Sequence, residues 1–223
     1  MSRPTREEAA ALADRVPGSA LSARLYDPVL WLGERTGLAR SREILLAGAH
    51  GRVIEIGAGT GLNLPRYPGA GVESLTLVEP ERHKAETLTG RAKDLGIEAE
   101  VVRATAEALP FPDDSFETAV VTLCLCTVPD PAAALAEIAR VLAPGGSLLF
   151  MEHVRSDRPR LGRFQDRLRP AWAALADGCQ CNRRTIEEME RAGFEVEVDH
   201  VADRPFMPPV ARPIVSGRAR VTG

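Results

Sequence analysis

Arg52-Val-Ile-Glu-Ile-Gly-Ala-Gly-Thr-Gly61 decides the fold. Val53, Ile54 and Ile56 make a short apolar run, the pattern of a buried parallel strand. The run breaks at once into Gly57, Gly59 and Gly61. Glycines are needed where a backbone turns through positive φ or where a ligand must touch the main chain. In an open α/β sheet that place is the crevice outside the carboxyl ends of the strands. A plain tight turn is the alternative reading of the loop alone. The preceding strand, the acid Glu55 and a second acid, Glu79, argue for a ligand instead.

Outward from this stretch, strands and helices alternate. Leu75, Leu77 and Val78 form a second strand that ends at Glu79. Residues 82–95 read as a helix stopped by Gly96. Glu98 to Arg103 and Phe116 to Cys124 are the third and fourth strands. Asp130-Pro131 caps a helix with Leu135, Ile138, Ala139 and Leu142 on one face. Pro144-Gly145-Gly146 then turns into a fifth strand, Ser147 to Met151. Thr185 and Glu188 have capping-box spacing before a helix stopped by Gly193. Phe194 to Val201 and Ile214 to Val221 close the chain as a strand pair, read as an antiparallel edge. Upstream, residues 5–15 read as a surface helix, and residues 21–48 as a helical stretch anchored by Tyr26, Leu30, Trp31 and Leu45. The whole is a doubly wound α/β sheet, with residues 1–50 as a helical cap or lid and residues 51–223 as one globular unit.

The chain has 223 residues, 44% of them hydrophobic, enough for one α/β domain and too few for two large ones. A formal net charge of −3 offers no global basic field for nucleic acid. The N-terminal residues lack the apolar core of a signal peptide, and no apolar run is long enough to cross a bilayer. We therefore expect a cytoplasmic protein without an integral membrane segment, where its four cysteines are thiols.

The glycine loop fits two ligand classes. A dinucleotide loop needs glycine at its sixth position, which is Leu62 here, and a pyrophosphate prefers a helix N-terminus free of acids. Glu55 precedes the loop instead, which suits the ammonium of a methionine moiety. A carboxylate at the tip of the second strand, Glu79, can accept both hydroxyls of a ribose. Both departures favour S-adenosylmethionine over nicotinamide dinucleotides.

Glu55-Ile-Gly-Ala-Gly-Thr-Gly61, Glu79, Ala106-Glu107, Leu109-Pro-Phe-Pro-Asp-Asp-Ser-Phe116 and Arg140-Val-Leu-Ala-Pro-Gly-Gly146 resemble class I S-adenosylmethionine-dependent methyltransferases. That resemblance implies a Rossmann-like seven-stranded sheet of order 3-2-1-4-5-7-6, with strand 7 antiparallel. Val121-Thr-Leu-Cys-Leu-Cys-Thr-Val128, Phe150-Met-Glu-His-Val154, Pro170-Ala-Trp172, Asp177-Gly-Cys179 and Arg212-Pro-Ile-Val-Ser-Gly217 are similar to the methyltransferase-like 7 group, whose animal members are thiol S-methyltransferases. The resemblance implies that Gly57, Ala58, Gly59, Gly61 and Asn63 line the methionine and ribose parts, with Glu55 near the amino group. Glu79 would hold the ribose, Pro80 would flank the adenine, and Ala106 and Glu107 would meet its edge. Thr122, Leu123 and Cys124, at the end of the fourth strand, would face the methionine end. Tyr26 would belong to a lid; a core tyrosine is the alternative. The product would be S-adenosylhomocysteine, and residues 155–185 a substrate-covering insertion.

For proton transfer the sequence offers His153, next to Glu152 after the fifth strand, and Asp177 in the covering region. Each has a bland counterpart: a packing histidine, and a turn residue before Gly178. His200 and Asp199 read as surface residues. Cys124-x-Cys126 and Cys179-x-Cys181 do not match the Cys-x2-4-Cys spacing of zinc sites, so we expect no metal and read them as small buried hydrophobes. A metal or arsenic site is the alternative. The basic stretch Pro159 to Pro170 reads as a helix with Leu161, Phe164 and Leu168 inward rather than an anion- or lipid-binding surface. The expected activity is methylation of a small-molecule thiol, for detoxification or natural-product self-protection, by a monomer or homodimer that engages no nucleic acid. Carbon, oxygen or nitrogen methylation of a quinone, phenol or phospholipid-type molecule is the alternative. Arsenite methylation and a non-catalytic binding module are weaker rivals.

Overall fold

The computed structural model describes residues 3–203 and 207–222, except for the side chains of residues 22, 25, 26, 29, 30, 32 and 203. Seven strands form one sheet: β1 (Gly51–Ile56), β2 (Val72–Val78), β3 (Glu100–Val102), β4 (Phe116–Thr122), β5 (Leu142–His153), β6 (Phe194–Asp203) and β7 (Pro213–Val221). Their order is β3-β2-β1-β4-β5-β7-β6. The first five pair in parallel, and β7 runs antiparallel to both β5 and β6. The order reverses between β1 and β4, so the glycine loop leaves the sheet at the switch point.

Alternation along β1 divides the core. Ile54 and Ile56 enter a cluster with Leu135 and Ile138 of α5 (Pro131–Val141) and Met189 of α7 (Thr185–Arg191). Val53 faces the other way, to Leu46 of α3 (Ala39–Leu46) and Leu88 of α4 (Arg82–Asp94). Glu55 shares the parity of Val53 and so lies on the α3 side. Upstream, α1 (Arg6–Ala13) and α2 (Ala20–Gly33) lead into α3 through a wide turn at residues 34–38.

Two helix ends follow the sequence closely. Asp130 accepts from the amide of Ala133 with Pro131 in the first turn, and Gly96 takes positive φ after α4. Several local readings are corrected. Thr185 is the first residue of α7, not its cap, and its buried hydroxyl has no partner among the described residues. β3 is shorter than Glu98 to Arg103, and β4 stops at Thr122 because Leu123 turns left-handed at φ 56°. In α6 (Pro159–Leu175) Phe164 is exposed, and the inward face carries Gly162 and Gln165. Trp31 is 56% exposed rather than a core anchor, and Arg35 stacks over its ring. Tyr26 falls in α2, but its side chain lies outside the described residues.

Candidate functional site

At the switch point the backbone amides of Gly57 and Ala58 both donate to the carbonyl of Val78, folding the loop back over β2. Gly57 sits at φ 71°, and a Cβ there would meet Cys124 Sγ at 2.5 Å. Only glycine fits this closest approach of the loops after β1 and β4. Glu79 is buried at the end of β2: Oε2 accepts from the amide of Gly59 at 2.8 Å and Oε1 from that of Glu81 at 2.9 Å. Burial pushes its carboxyl up, and these amides pull it back. Each oxygen keeps acceptor capacity for a hydroxyl outside the loop. Thr60 donates to Asp27 of α2 at 2.5 Å, and Asp27 also pairs with Arg91 of α4, so α2 is tied to the glycine loop.

Behind the loop runs a buried polar network that the sequence hides. Glu55 accepts from Asn63 Nδ2 at 2.8 Å and from the Tyr67 hydroxyl at 2.6 Å. Asn63 also donates to Thr122 at 3.0 Å. Arg42 of α3 donates through Nη1 to Asn63 Oδ1 at 2.9 Å and to Thr122 Oγ1 at 2.8 Å, and through Nε to Glu34 at 2.9 Å. Burial raises the Glu55 carboxyl to about 7, against the pull of Tyr67, Asn63 and Arg42. Arg42, Glu55, Gly57, Ala58, Thr60, Leu62, Asn63 and Thr122 together line one crevice. A wider hollow, lined by Asp130, Ala136, Glu188 and Arg191 among others, shares no residue with it.

Beside the glycine loop, where Cys124 abuts Gly57, the loop after β4, the end of β5 and the turn after α6 pack together. Glu152, expected among the acid–base candidates, has another task. Its oxygens accept from the amides of Cys124, Leu125 and Cys126 at 2.8, 2.9 and 3.1 Å, so the carboxylate clasps the loop after β4. Asp177 pairs with Lys84 of α4 at 2.5 Å, bridging the turn after α6 to the β2 side. His153 is buried, and its Nδ1 lies 3.8 Å from Cys126 Sγ and 3.5 Å from Cys179 Sγ. The two sulfurs are 3.7 Å apart. Their shared hydrogen bond raises the Cys126 thiol and, with His153, lowers that of Cys179. Cys124 is buried against Gly57 instead. Pro80 accepts at its carbonyl from Arg103 at 3.1 Å; Ala106 is buried, and Glu107 accepts from the amide of Asp130 at 3.2 Å. Leu123 donates its amide to Met151 at 2.7 Å, and His200 and Asp199 are exposed.

Residues 54–150 match the family model of a methyltransferase domain. The human thiol S-methyltransferase TMT1A is 35% identical over 181 residues, 78% of this chain and 72% of the human protein. The chain belongs to the class I S-adenosylmethionine-dependent methyltransferases. Human TMT1B is 36% identical to this methyltransferase over 162 residues, covering 69% of the chain and 65% of the human protein. Among solved structures, a methyltransferase of Thermotoga maritima described as a possible histamine N-methyltransferase superposes with a TM-score of 0.68 at 24% identity, over 90% of this chain and 98% of that one. The [4+2]-cyclase SpnF superposes at 0.69 with 19% identity, over 99% and 97%. At such identities the likeness is one of fold, and a fold shared with a cyclase does not fix the chemistry.

The polar lining of the crevice suits the amino-acid end of S-adenosylmethionine. A buried acid and a buried guanidinium lie side by side, matching the ammonium and carboxylate of an amino-acid zwitterion. Arg42 Nη2 has no protein partner among the described residues, so a donor remains for a carboxylate. Glu79, with one amide on each oxygen, keeps lone pairs for further donors. Arg42 and Tyr67 were not singled out in the sequence.

Proposed function

We propose that this enzyme methylates a small-molecule thiol. Bound S-adenosylmethionine supplies an activated methyl group on a sulfonium centre. In this reading Arg42 and Glu55 hold its amino-acid end and Glu79 its ribose, while Gly57 and Ala58 bring the backbone close to it. Glu152 positions the loop after β4 that faces the acceptor.

One observation carries the thiol reading. Both carboxylates that the sequence offers on the acceptor side are engaged, Glu152 by three amides and Asp177 by Lys84. Among the described residues, the imidazole of His153 and the thiols of Cys126 and Cys179 remain beside the loop after β4. A phenol, with a pKa of about 10, or a carbon acid ionises less readily and depends more on a positioned base. A thiol has a pKa of about 8.5 and is a few per cent thiolate at neutral pH, so it needs little help. The likeness to TMT1A supports the same reading: covering 78% of the chain, it takes in β1 through β5 wherever it starts.

In our reading residues 1–50 form a cap over the cofactor, supported by the Thr60–Asp27 contact, and residues 155–185 cover the acceptor, supported by the Lys84–Asp177 pair. No described helix is long and apolar enough to cross a membrane, and we propose a cytoplasmic enzyme. The test is incubation with labelled S-adenosylmethionine and a panel of alkyl and aryl thiols, phenols, quinols, amines and phosphatidylethanolamine. Thiols should be turned over in preference to every other class. Turnover of phenols, quinols or amines without thiols would remove the proposal.

A further inference from the structure

The loop after β4, the end of β5 and the turn after α6 bring together three metal-binding atoms with no part in the proposed methyl transfer. Cys126 Sγ, Cys179 Sγ and His153 Nδ1 all lie within 4.8 Å of one another, and all three residues are buried. The separations are specific: 3.7 Å between the sulfurs, and 3.5 and 3.8 Å from each sulfur to the nitrogen. A tetrahedral zinc ion, with Zn–S about 2.3 Å and Zn–N about 2.0–2.1 Å, holds two sulfurs about 3.8 Å apart and sulfur and nitrogen about 3.6 Å apart. The triangle is thus one face of a zinc coordination tetrahedron.

We propose that Cys126, His153 and Cys179 bind one zinc ion and leave its fourth position to the sulfur of the acceptor thiol. The second half of this proposal rests on the thiol reading; the first does not.

Three features of the fold support the site. First, the imidazole is poorly satisfied without a metal. Its Nδ1 meets only the two thiols, which are weak hydrogen-bonding groups, and its Nε2 is buried with no partner among the described residues. Second, the ligands sit on fixed backbone. Glu152 clasps the Cys126 amide at 3.1 Å, and the carbonyl of Cys126 accepts from Gln180 at 2.7 Å, which ties the Cys179 turn to the loop after β4. Gln165 of α6 holds the same region, with its Nε2 donating to the carbonyls of Val154 at 3.1 Å and Cys181 at 3.0 Å. Third, the ligand number is right for chemistry. Cys181 lies in the same apolar cluster but outside the group of atoms in mutual reach. Three protein ligands with an open fourth position are the arrangement of catalytic zinc sites, whereas structural ones are closed by four.

The charges also balance. Two thiolates and a neutral imidazole neutralise the dication, so it can sit in a buried pocket with one water as its fourth ligand. An acceptor thiol that enters as the fourth ligand breaks its S–H bond and forms an S–Zn bond, and its proton leaves with the displaced water. This supplies the deprotonation that the engaged carboxylates cannot. The two Cys-x-Cys pairs therefore contribute one sulfur each, across 53 residues, rather than acting as local knuckles.

The test begins with purified full-length protein under reducing conditions. Zinc is measured by atomic emission, and cobalt(II) is titrated into the chelator-treated protein. We expect one equivalent of metal, a thiolate-to-cobalt charge-transfer band in the near ultraviolet and the intense visible bands of a tetrahedral ion. Cys126→Ser and Cys179→Ser should each weaken binding by more than about 100-fold, because even outer-shell changes cost about 10- to 100-fold. His200→Ala, on the exposed edge strand, should bind as wild type. The wild-type spectrum carries the result if a serine variant fails to fold. Absence of metal and of cobalt bands overturns the site, as does an unchanged spectrum in folded serine variants. Adding an alkanethiol should shift the cobalt bands, and adding a phenol should not. If a thiol that is turned over leaves the bands unmoved, the fourth-position role falls while thiol methylation stands. If the metal binds but no thiol is methylated, the proposed function falls while the metal site stands.

Discussion

Glu55 makes donor binding depend on pH in a direction that can be worked out. Burial holds its carboxyl near 7 in the free protein, where it is protonated at mildly acid pH. An ammonium placed beside it is favoured only by the carboxylate, so binding selects the ionised form and releases a proton. At pH 6 about one free molecule in eleven is ionised, and at pH 5 about one in a hundred, so Kd weakens by about 11-fold and then about 100-fold from its plateau. The window ends near pH 7, because the donor's own α-amino group titrates at about 7.7–8.0. Isothermal titration calorimetry with S-adenosylhomocysteine in buffers of different ionisation enthalpy measures both Kd and proton release. Glu55→Gln should flatten the pH dependence. Stability of the free protein carries the opposite sign. A carboxyl raised from 4.5 to about 7 is stabilising below 4.5, and that contribution, about 3 kcal/mol, is lost as pH rises through 7. The glutamine variant should therefore lose less stability than wild type between pH 5 and 8. A wild-type Kd constant from pH 5 to 7, or the same slope in Glu55→Gln, would refute this reasoning.

Other substitutions test separate parts of the cradle. Glu79→Ala removes the ribose acceptor and strands two amides, so calorimetric Kd should rise by about 10- to 100-fold, equivalent to about 1.4–2.7 kcal/mol. Gly57→Ala forces a Cβ against Cys124 Sγ at positive φ, and chemical denaturation should show a loss of about 2–5 kcal/mol, partly recovered by adding Cys124→Ala. Gln165 is buried and joins Ser156, Val154, Cys181 and Val210; Gln165→Leu strands these groups and should cost about 3 kcal/mol or more in the same assay.

The sheet was legible because β1 and β2 are short apolar runs that end in glycine and in an acid, and β4 is a run rich in Val and Ala followed by a capped helix. Glu55 and Glu79 were singled out because each is an acid at a strand tip, and the fold buries both there. Arg42 was not. It lies on α3 beside Arg40, and nothing local tells the inward arginine from the outward one. Tyr67 was hidden likewise, since its partner Glu55 is reached only after the loop folds back. Glu152 and His153 were singled out as acid–base candidates, but their neighbours come from distant loops, so periodicity could not assign the clasp to one and the sulfur contacts to the other. Each Cys-x-Cys pair was weighed alone, whereas the contact runs between the pairs. Thr185 misled because capping-box spacing depends on where the helix begins, and α7 begins one residue early.

The measurement closest to the centre of this account is a crystal structure with S-adenosylhomocysteine bound. The account predicts the ligand's ammonium against Glu55, its carboxylate on Arg42 and both ribose hydroxyls on Glu79. A ligand seated elsewhere, or one that leaves the Arg42–Asn63–Glu55 network untouched and solvent-filled, would contradict it.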